Sequence, residues 1–463
     1  MKNRGFLSFI ALLVVALALV AAGCGGDDDD EGAGGTGTEA TGGAAGGDVE
    51  ALPASSCTGI EYEGEGEPDA LIVSDLPLQG SSRTQTVQMV KAIRYVLGQR
   101  QWKAGDLNIG YQACDDSTAQ AGKWDSGKCS QNAQAFASNP SVIGVIGTFN
   151  SGCAAIEIPV ANQAPNGPLA MVSPANTYVC LTEGGPGCEG TEPDKYYPTG
   201  TRNYVRVVAH DAYQGAAVAE FAKEQGVTSV FVLNDKEAYG LGVANNFRNA
   251  AESLDIEIAG FAAWDPKASS YEALMRQIGS SNADAIFLGG LIDENGAQLI
   301  KDKVAVLGPN DGDVKLLAPD GFTQQSTIDE SGVDNSRGMF LSIAGIPVEE
   351  LTGDGEEFIT AFREELGDEP VDPYAAYGAQ AAVVLLDAIE RAGTTERAKI
   401  AEEIFNTQVE NGILGTFEIN ENGDPAQAEG GVVGFTIYRA EEELETETTV
   451  SPKQETVDAA RGS

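Results

Sequence analysis

The feature that most constrains this chain is an alternation of short apolar runs with longer helix-patterned stretches, and it occurs twice. Residues 70–73, 107–112, 142–146 and 169–172 read as buried strands. Between them lie helical patterns at 84–100, at 120–137, where the insertion between Cys114 and Cys129 interrupts it, and at 153–163. Such alternation builds a parallel sheet covered by helices on both faces. After Tyr204 the pattern restarts, with strands at 229–233, 256–261, 285–288 and 314–318 and helices at 242–254, 271–278 and 295–307. A strand at 339–343, helices at 355–366 and 375–392, and a late strand at 434–439 follow. The expectation is an α/β chain with two doubly wound parallel-sheet lobes. The Glu/Thr-rich residues from 440 on read as a frayed tail.

The first residues belong to a different object. Lys2 and Arg4 precede an almost wholly apolar run, residues 6–20, closed by Ala21-Ala22-Gly23-Cys24. A charged start, a short apolar core and small residues at the end are the parts of an export signal, too short for a membrane span of roughly 20 apolar residues. The cysteine behind small residues is similar to the lipobox of bacterial lipoproteins, with Ala21 where Leu is usual. Cys24 is therefore the expected lipidated N-terminus of the mature chain. The Gly-, Asp- and Thr-rich stretch that follows has almost nothing to bury and reads as a disordered tether.

Charge excludes one class of partner. Seventy acidic against 28 basic side chains leave a formal net charge of −42. No basic stripe is available to neutralise phosphates, so no nucleic acid is expected. The acidity suits a salty habitat or a lineage-wide bias equally well.

Of seven cysteines in an exported chain, one lipidated leaves six to pair. Cys180 and Cys188 flank one polar loop, and Cys114 and Cys129 another, which leaves Cys57 with Cys153. The expected bridges are thus 57–153, 114–129 and 180–188. No Cys-x-x-Cys occurs, so neither a zinc ribbon nor a thioredoxin-type pair is indicated.

The chemistry of the common enzymes is missing. The single histidine, His210, precedes a turn-like Asp211-Ala212-Tyr213, where it suits a hinge or a cap better than catalysis. The sequence has no P-loop, no His-Glu-x-x-His and no Gly-x-Ser-x-Gly. The run 240–245 imitates a dinucleotide fingerprint but ends in Asn and follows a polar loop. The expectation is a binding protein without cofactor, metal or catalytic residues.

Four loops follow predicted strands, where open α/β sheets place ligands. They are 147–152 with Asn150 and Ser151, 173–178 with Ala175 and Thr177, 235–240 with Tyr239, and 319–321 with Asp320. Each alone reads equally well as a helix cap or a turn.

Together the loops are similar to one family. From Asp69 to about Arg439 the chain resembles the leucine/isoleucine/valine-binding proteins, of the type I periplasmic-binding-protein fold. The resemblance rests on Pro77-Leu78-Gln79-Gly80, on Ile143-Gly144-Val145-Ile146-Gly147 before Ser151, and on Ser173-Pro174-Ala175-Asn176-Thr177. It continues through Gln214-Gly215, Asp235-Lys236, Tyr239-Gly240, Gly289-Gly290, Pro319-Asp320-Gly321 and Tyr374-Ala375-Ala376-Tyr377-Gly378. It implies two lobes joined by a three-strand hinge, with ligand between them. Residues 67–208 and 341–432 would form the N-terminal lobe, and 209–340 and 433–440 the C-terminal lobe. Residues 1–23 would be the signal, 24–66 the lipidated Cys24 and its tether, and 441–463 an acidic tail.

The resemblance also implies roles. Ser151 and Thr177, with Asn150 beside them, would hold an amino-acid carboxylate. The Ala175 carbonyl would face the ammonium, and Tyr239 and Asp320 would come from the opposite lobe, Asp320 pairing the ammonium. A zwitterion leaving water needs both charges paired. Two departures are Leu291, where leucine binders tend to carry Tyr, and the polar run 81–85, in which Arg83 and Gln85 suit a polar or acidic ligand side chain. The function expected is the substrate-binding lipoprotein of an amino-acid ABC importer, a monomer on the outer face of the cell membrane that delivers ligand to transmembrane permease subunits. Rival classes are a receptor for an amide, urea-like compound or short peptide, and a sensor ectodomain.

Overall fold

A computed structural model describes residues 49–427 and 434–462. The export signal, Cys24 and most of the tether lie outside the described residues. So do residues 428–433, which include the expected bound between the lobes at 432 and 433.

The N-terminal lobe begins β1 (Ala70–Leu76), α1 (Arg83–Gln99), β2 (Lys103–Ala104), β3 (Leu107–Asp115), β4 (Ser117–Thr118), β5 (Lys123–Trp124) and α2 (Ser126–Ser138). It continues with β6 (Val142–Gly147), α3 (Ser151–Asn162), β7 (Ala170–Ser173) and β8 (Tyr204–Arg206). The chain then crosses into α4 (Asp211–Glu224), β9 (Ser229–Asn234), α5 (Ala238–Ser253), β10 (Glu257–Ala263), α6 (Glu272–Gly279) and β11 (Ala285–Gly289). This C-terminal lobe adds α7 (Gly296–Leu307), β12 (Lys315–Ala318), α8 (Gln325–Ser331), α9 (Val333–Ser336) and β13 (Phe340–Ala344). The chain returns for α10 (Asp354–Leu366), α11 (Pro373–Ala392), α12 (Arg397–Glu403), β14 (Gln408–Gly412), β15 (Gly415–Ile419) and β16 (Pro425–Gln427). It ends in the C-terminal lobe with β17 (Phe435–Ala440), β18 (Leu444–Val450) and α13 (Gln454–Ala460).

The two large sheets run β2-β3-β1-β6-β7-β8 and β10-β9-β11-β12-β13-β17-β18. Their central strands pair in parallel, and β17 and β18 close the second sheet antiparallel. β1 and β6 are buried along their whole length, which is why they read as unbroken apolar runs. α11 shows how the helices start and stop. Asp372 caps it by accepting from the Tyr374 N–H, Pro373 supplies a preset φ in the first turn, and Gly393 ends it in the left-handed region. In each sheet the strand order reverses beside a central strand, between β1 and β6 and between β9 and β11. Loops at such a reversal leave a crevice for ligand.

Four expectations from sequence need correction. The stretch 120–137 is not one helix. Gly122, at φ +65°, turns β4 into β5, and only then does Asp125 cap α2 by accepting from the Lys128 N–H. The tether ends earlier than residue 66, because Leu52 and Cys57 are buried and Glu61 bridges to Tyr111 on β3. Residues 341–344 pair within the C-terminal lobe's sheet. The end is not frayed either, since β18 zips onto β17 and α13 buries Thr456, Val457 and Ala460. Its alternating Glu/Thr pattern is that of an edge strand with one face in water.

The bridges are Cys57–Cys114, Cys129–Cys153 and Cys180–Cys188. Only the last follows the expected pairing. Cys57 lies directly across from Cys114 because the segment before β1 runs antiparallel to β3. Cys129 and Cys153 face each other because α2 packs on α3.

Candidate functional site

The cleft between the lobes is lined by Trp124, Phe149, Asn150, Ser151, Gly152, Ala175 and Thr177 on one side. Glu237, Tyr239, Leu291, Asp320 and Gly321 line the other. The six residues named from the four loops, Asn150, Ser151, Ala175, Thr177, Tyr239 and Asp320, are among these.

α3 starts at Ser151, and Ser151 and Gly152, whose N–H groups have no partner within the helix, both line the cleft. Ser151 Oγ accepts from the Tyr178 N–H at 3.3 Å, which ties the two N-terminal-lobe loops together. The 176–178 loop is held from behind by Arg206, which is fully buried and donates to the carbonyls of Asn176 and Tyr178 at 3.0 and 2.9 Å. Asp424 pairs with the same guanidinium at 2.6 Å, and this charge holds its carboxyl below the usual range against the opposing effect of burial. Thr177 is thereby presented on a rigid turn. Asn150 Oδ1, beside Ser151, is buried without a hydrogen-bond partner among the described residues. A helix N-terminus with hydroxyls beside it suits a carboxylate.

Across the cleft stands Asp320, 8% exposed. Tyr239 donates to its Oδ1 at 2.6 Å, and Tyr374 of the N-terminal lobe donates to Oδ2 at 2.7 Å. The Tyr239 hydroxyl also accepts from the Gly321 N–H at 3.0 Å, which fixes the loop that carries Asp320. Burial pushes the Asp320 carboxyl up, while the two tyrosines act against that shift. Asp211, fully buried at the start of α4, is raised well above the usual range by burial, with the Asp320 charge adding to it. A cation placed beside Asp320 would reverse both effects.

Asp235 supports this lobe's loops by accepting from the N–H groups of Glu237 and Leu291. His210 caps α4, its Nδ1 accepting from the Ala212 N–H at 3.3 Å. Burial drops its pKa to about 3, so it stays neutral and does no proton chemistry near neutral pH.

Arg83 and Gln85 do not reach the cleft. Arg83 is exposed, and the Gln85 amide donates to Asp372 at the start of α11. The aromatic on that side comes instead from the β4–β5 hairpin, as Trp124. Sequence reasoning gave no cleft role to Trp124, Phe149, Glu237 or Tyr374. Tyr374 carried a signal, its place directly behind the Asp372-Pro373 helix start; the hairpin that carries Trp124 carried none.

Polar contacts also join the lobes at the rim. Ser82 donates to Asp293 at 2.8 Å, and Lys123 pairs with Glu294, whose side chain is 2% exposed. Among the described residues, no helix is long and apolar enough to cross a membrane.

The family described as periplasmic binding protein matches residues 76–433. The chain is 26% identical over 234 residues to the leucine-, isoleucine-, valine-, threonine- and alanine-binding protein of Pseudomonas aeruginosa. That alignment spans 50% of this chain and 59% of the relative, less than two thirds of its length. A leucine-binding protein of Thermotoga maritima superposes with a TM-score of 0.69 at 25% identity, covering 83% of this chain and 99% of its own. A branched-chain amino acid transporter substrate-binding protein of Streptococcus pneumoniae, solved with isoleucine, shares the fold with a TM-score of 0.66 at 16% identity, over 82% and 98% of the two chains.

Proposed function

We propose, from the premise that this chain belongs to the periplasmic binding protein family, that it captures a free α-amino acid outside the cell for an ABC importer. The observation that carries this reading is the pairing of opposite ends in one cleft. Asp320, buried and braced by Tyr239 and Tyr374, faces the start of α3 with Ser151 and Thr177 beside it. One end suits an ammonium and the other a carboxylate, so a zwitterion finds a partner for each charge. The relatives named above are binding proteins for leucine and similar amino acids, which supports the same reading.

Because the two ends belong to different lobes, ligand favours the closed arrangement over the open one, and only such a difference shifts the equilibrium. Cys24 carries the lipid, residues behind it form the tether, and permease subunits receive the closed form. Asn150 and the Ala175 carbonyl complete the polar surround.

Calorimetry with the natural amino acids tests the reading. One or more binds, while its methyl ester and its N-acetyl derivative do not, since each lacks one charge. If no free amino acid binds, an uncharged solute in the same cleft becomes the better account.

A further inference from the structure

The corner of the cleft beneath the β4–β5 hairpin holds two polar groups that the amino-acid backbone does not use. Trp124 is 9% exposed, and its Nε1 is buried without a hydrogen-bond partner among the described residues. A Cβ on Gly152 would stand 2.6 Å from Cζ2 of this indole. Cζ2 and Cη2 form the ring edge nearest Gly152, and Nε1 is bonded to the same ring carbon as Cζ2, so the N–H stands beside that edge. From the opposite lobe Glu237 reaches the same point, its Oε2 3.4 Å from that Cβ position. Among the described residues the Glu237 side chain takes part in no hydrogen bond. Burial raises its carboxyl, and the nearby Lys123 charge acts against this. Phe149 and Leu291 supply apolar walls.

The ligand's charged ends have places elsewhere. The ammonium goes to Asp320. The carboxylate goes to Ser151 and Thr177, and the Glu237 charge keeps it off this corner. What remains for the corner is the ligand side chain, which meets a donor in Trp124 and an acceptor in Glu237.

Resting on the amino-acid reading above, we propose that the ligand carries a short, uncharged polar side chain, a hydroxyl or a primary amide, read by Trp124 Nε1 and the Glu237 carboxylate. Either group offers an acceptor to the indole and a donor to the carboxylate. An aliphatic side chain of the same shape would cover both without satisfying either, and a site built to hydrogen-bond its ligand rejects such an isostere. A side-chain carboxylate would meet the like charge of Glu237. A side-chain ammonium would face the positive edge of the indole N–H.

Isosteric pairs test this by calorimetry: threonine against valine, and asparagine against leucine. In at least one pair the polar member binds at least about tenfold tighter. W124F, which keeps the ring and removes the N–H, erases most of that ratio by weakening the polar member alone. Valine and leucine binding as tightly as threonine and asparagine overturns the proposal and leaves the amino-acid reading standing. W124F weakening all four ligands equally also overturns it, because the indole would then serve the shared carboxylate. If no amino acid binds, both readings fall.

Discussion

The Tyr374 hydroxyl on one lobe donates to Asp320 on the other at 2.7 Å, while Tyr239 holds the second oxygen of the same carboxylate from within its own lobe. The two tyrosines therefore do different things. Tyr239 holds Asp320 from within its own lobe, whereas Tyr374 reaches it across the cleft. Tyr374→Phe should weaken ligand binding about 2- to 10-fold, the net worth of one hydrogen bond. Titration calorimetry against wild type checks this, and an unchanged affinity would remove Tyr374 from the closing contact.

Asp320→Ala leaves a ligand ammonium unpaired in a dry cleft. The loss should be about 2–5 kcal/mol of binding free energy, by analogy with truncated buried charge pairs. The variant should still fold, because its neighbours there are tyrosine hydroxyls and loop backbone. Binding within twofold of wild type, with a normal melting transition, would sink the zwitterion model.

The hairpin's Lys123 pairs with Glu294 across the rim, and Glu294 is nearly buried there. Opening the lobes returns Glu294 to water, so its need for a partner is felt only on closure. Lys123→Ala should therefore speed ligand release by about tenfold or more and change association little. Stopped-flow mixing separates the two rates. An unchanged release rate would make the pair a bystander.

Behind the cleft, Asp75, Asp116 and Glu157 are fully buried near one another, with the Lys128 charge acting only weakly on Asp75. Burial raises Asp75 to about 6 and lifts Glu157 well above the usual range, with the Asp75 charge adding to the latter. The folded protein then holds protons that the unfolded chain has released. Stability from these groups is present below their unfolded values near 4 and is lost as pH rises through the raised ones. Melting temperature should fall from pH 5 to pH 8. Glu157→Gln, which cannot ionise, should flatten that fall and gain on wild type at pH 8. Parallel melting curves for the two proteins would contradict this origin.

Digestion without reduction, followed by mass spectrometry, should recover linked peptides 57–114, 129–153 and 180–188. The double variant C129A/C153A should lose about 3 kcal/mol of stability, as expected for closing a loop of this size. It should also weaken ligand binding, because that bridge ties α2 to α3 two residues beyond Ser151.

The lobes were legible because buried parallel strands are continuous apolar runs, and β1, β6, β9 and β11 each carry one. The six residues expected at the cleft could be picked out because each stands on, or just past, the segment that follows a strand of a parallel sheet. What stayed hidden depends on contacts between distant segments. Cys57 meets Cys114 only through a strand-like approach to β3 that local pattern does not announce. Trp124 reaches the cleft because a short hairpin interrupts an otherwise helical composition. Arg83 looked like a ligand contact by order along the chain, yet the first turn of α1 points it to water. β18 was misjudged because an edge strand with a wet face resembles a polar tail.

The bridge between Cys57 and Cys114 also sets a load path. A pull on the chain upstream of Cys57 passes directly into β3 and the rigid sheet around it, and bypasses the passages that act as hinge. Holding the protein by its leading end therefore leaves the C-terminal lobe as the swinging arm. That arm carries α13, and Arg461, just past its end, lies 3.6 Å from Glu183 on the stationary lobe. A dye near Gly462 and another on the Cys180–Cys188 loop would report the swing directly, without touching the cleft.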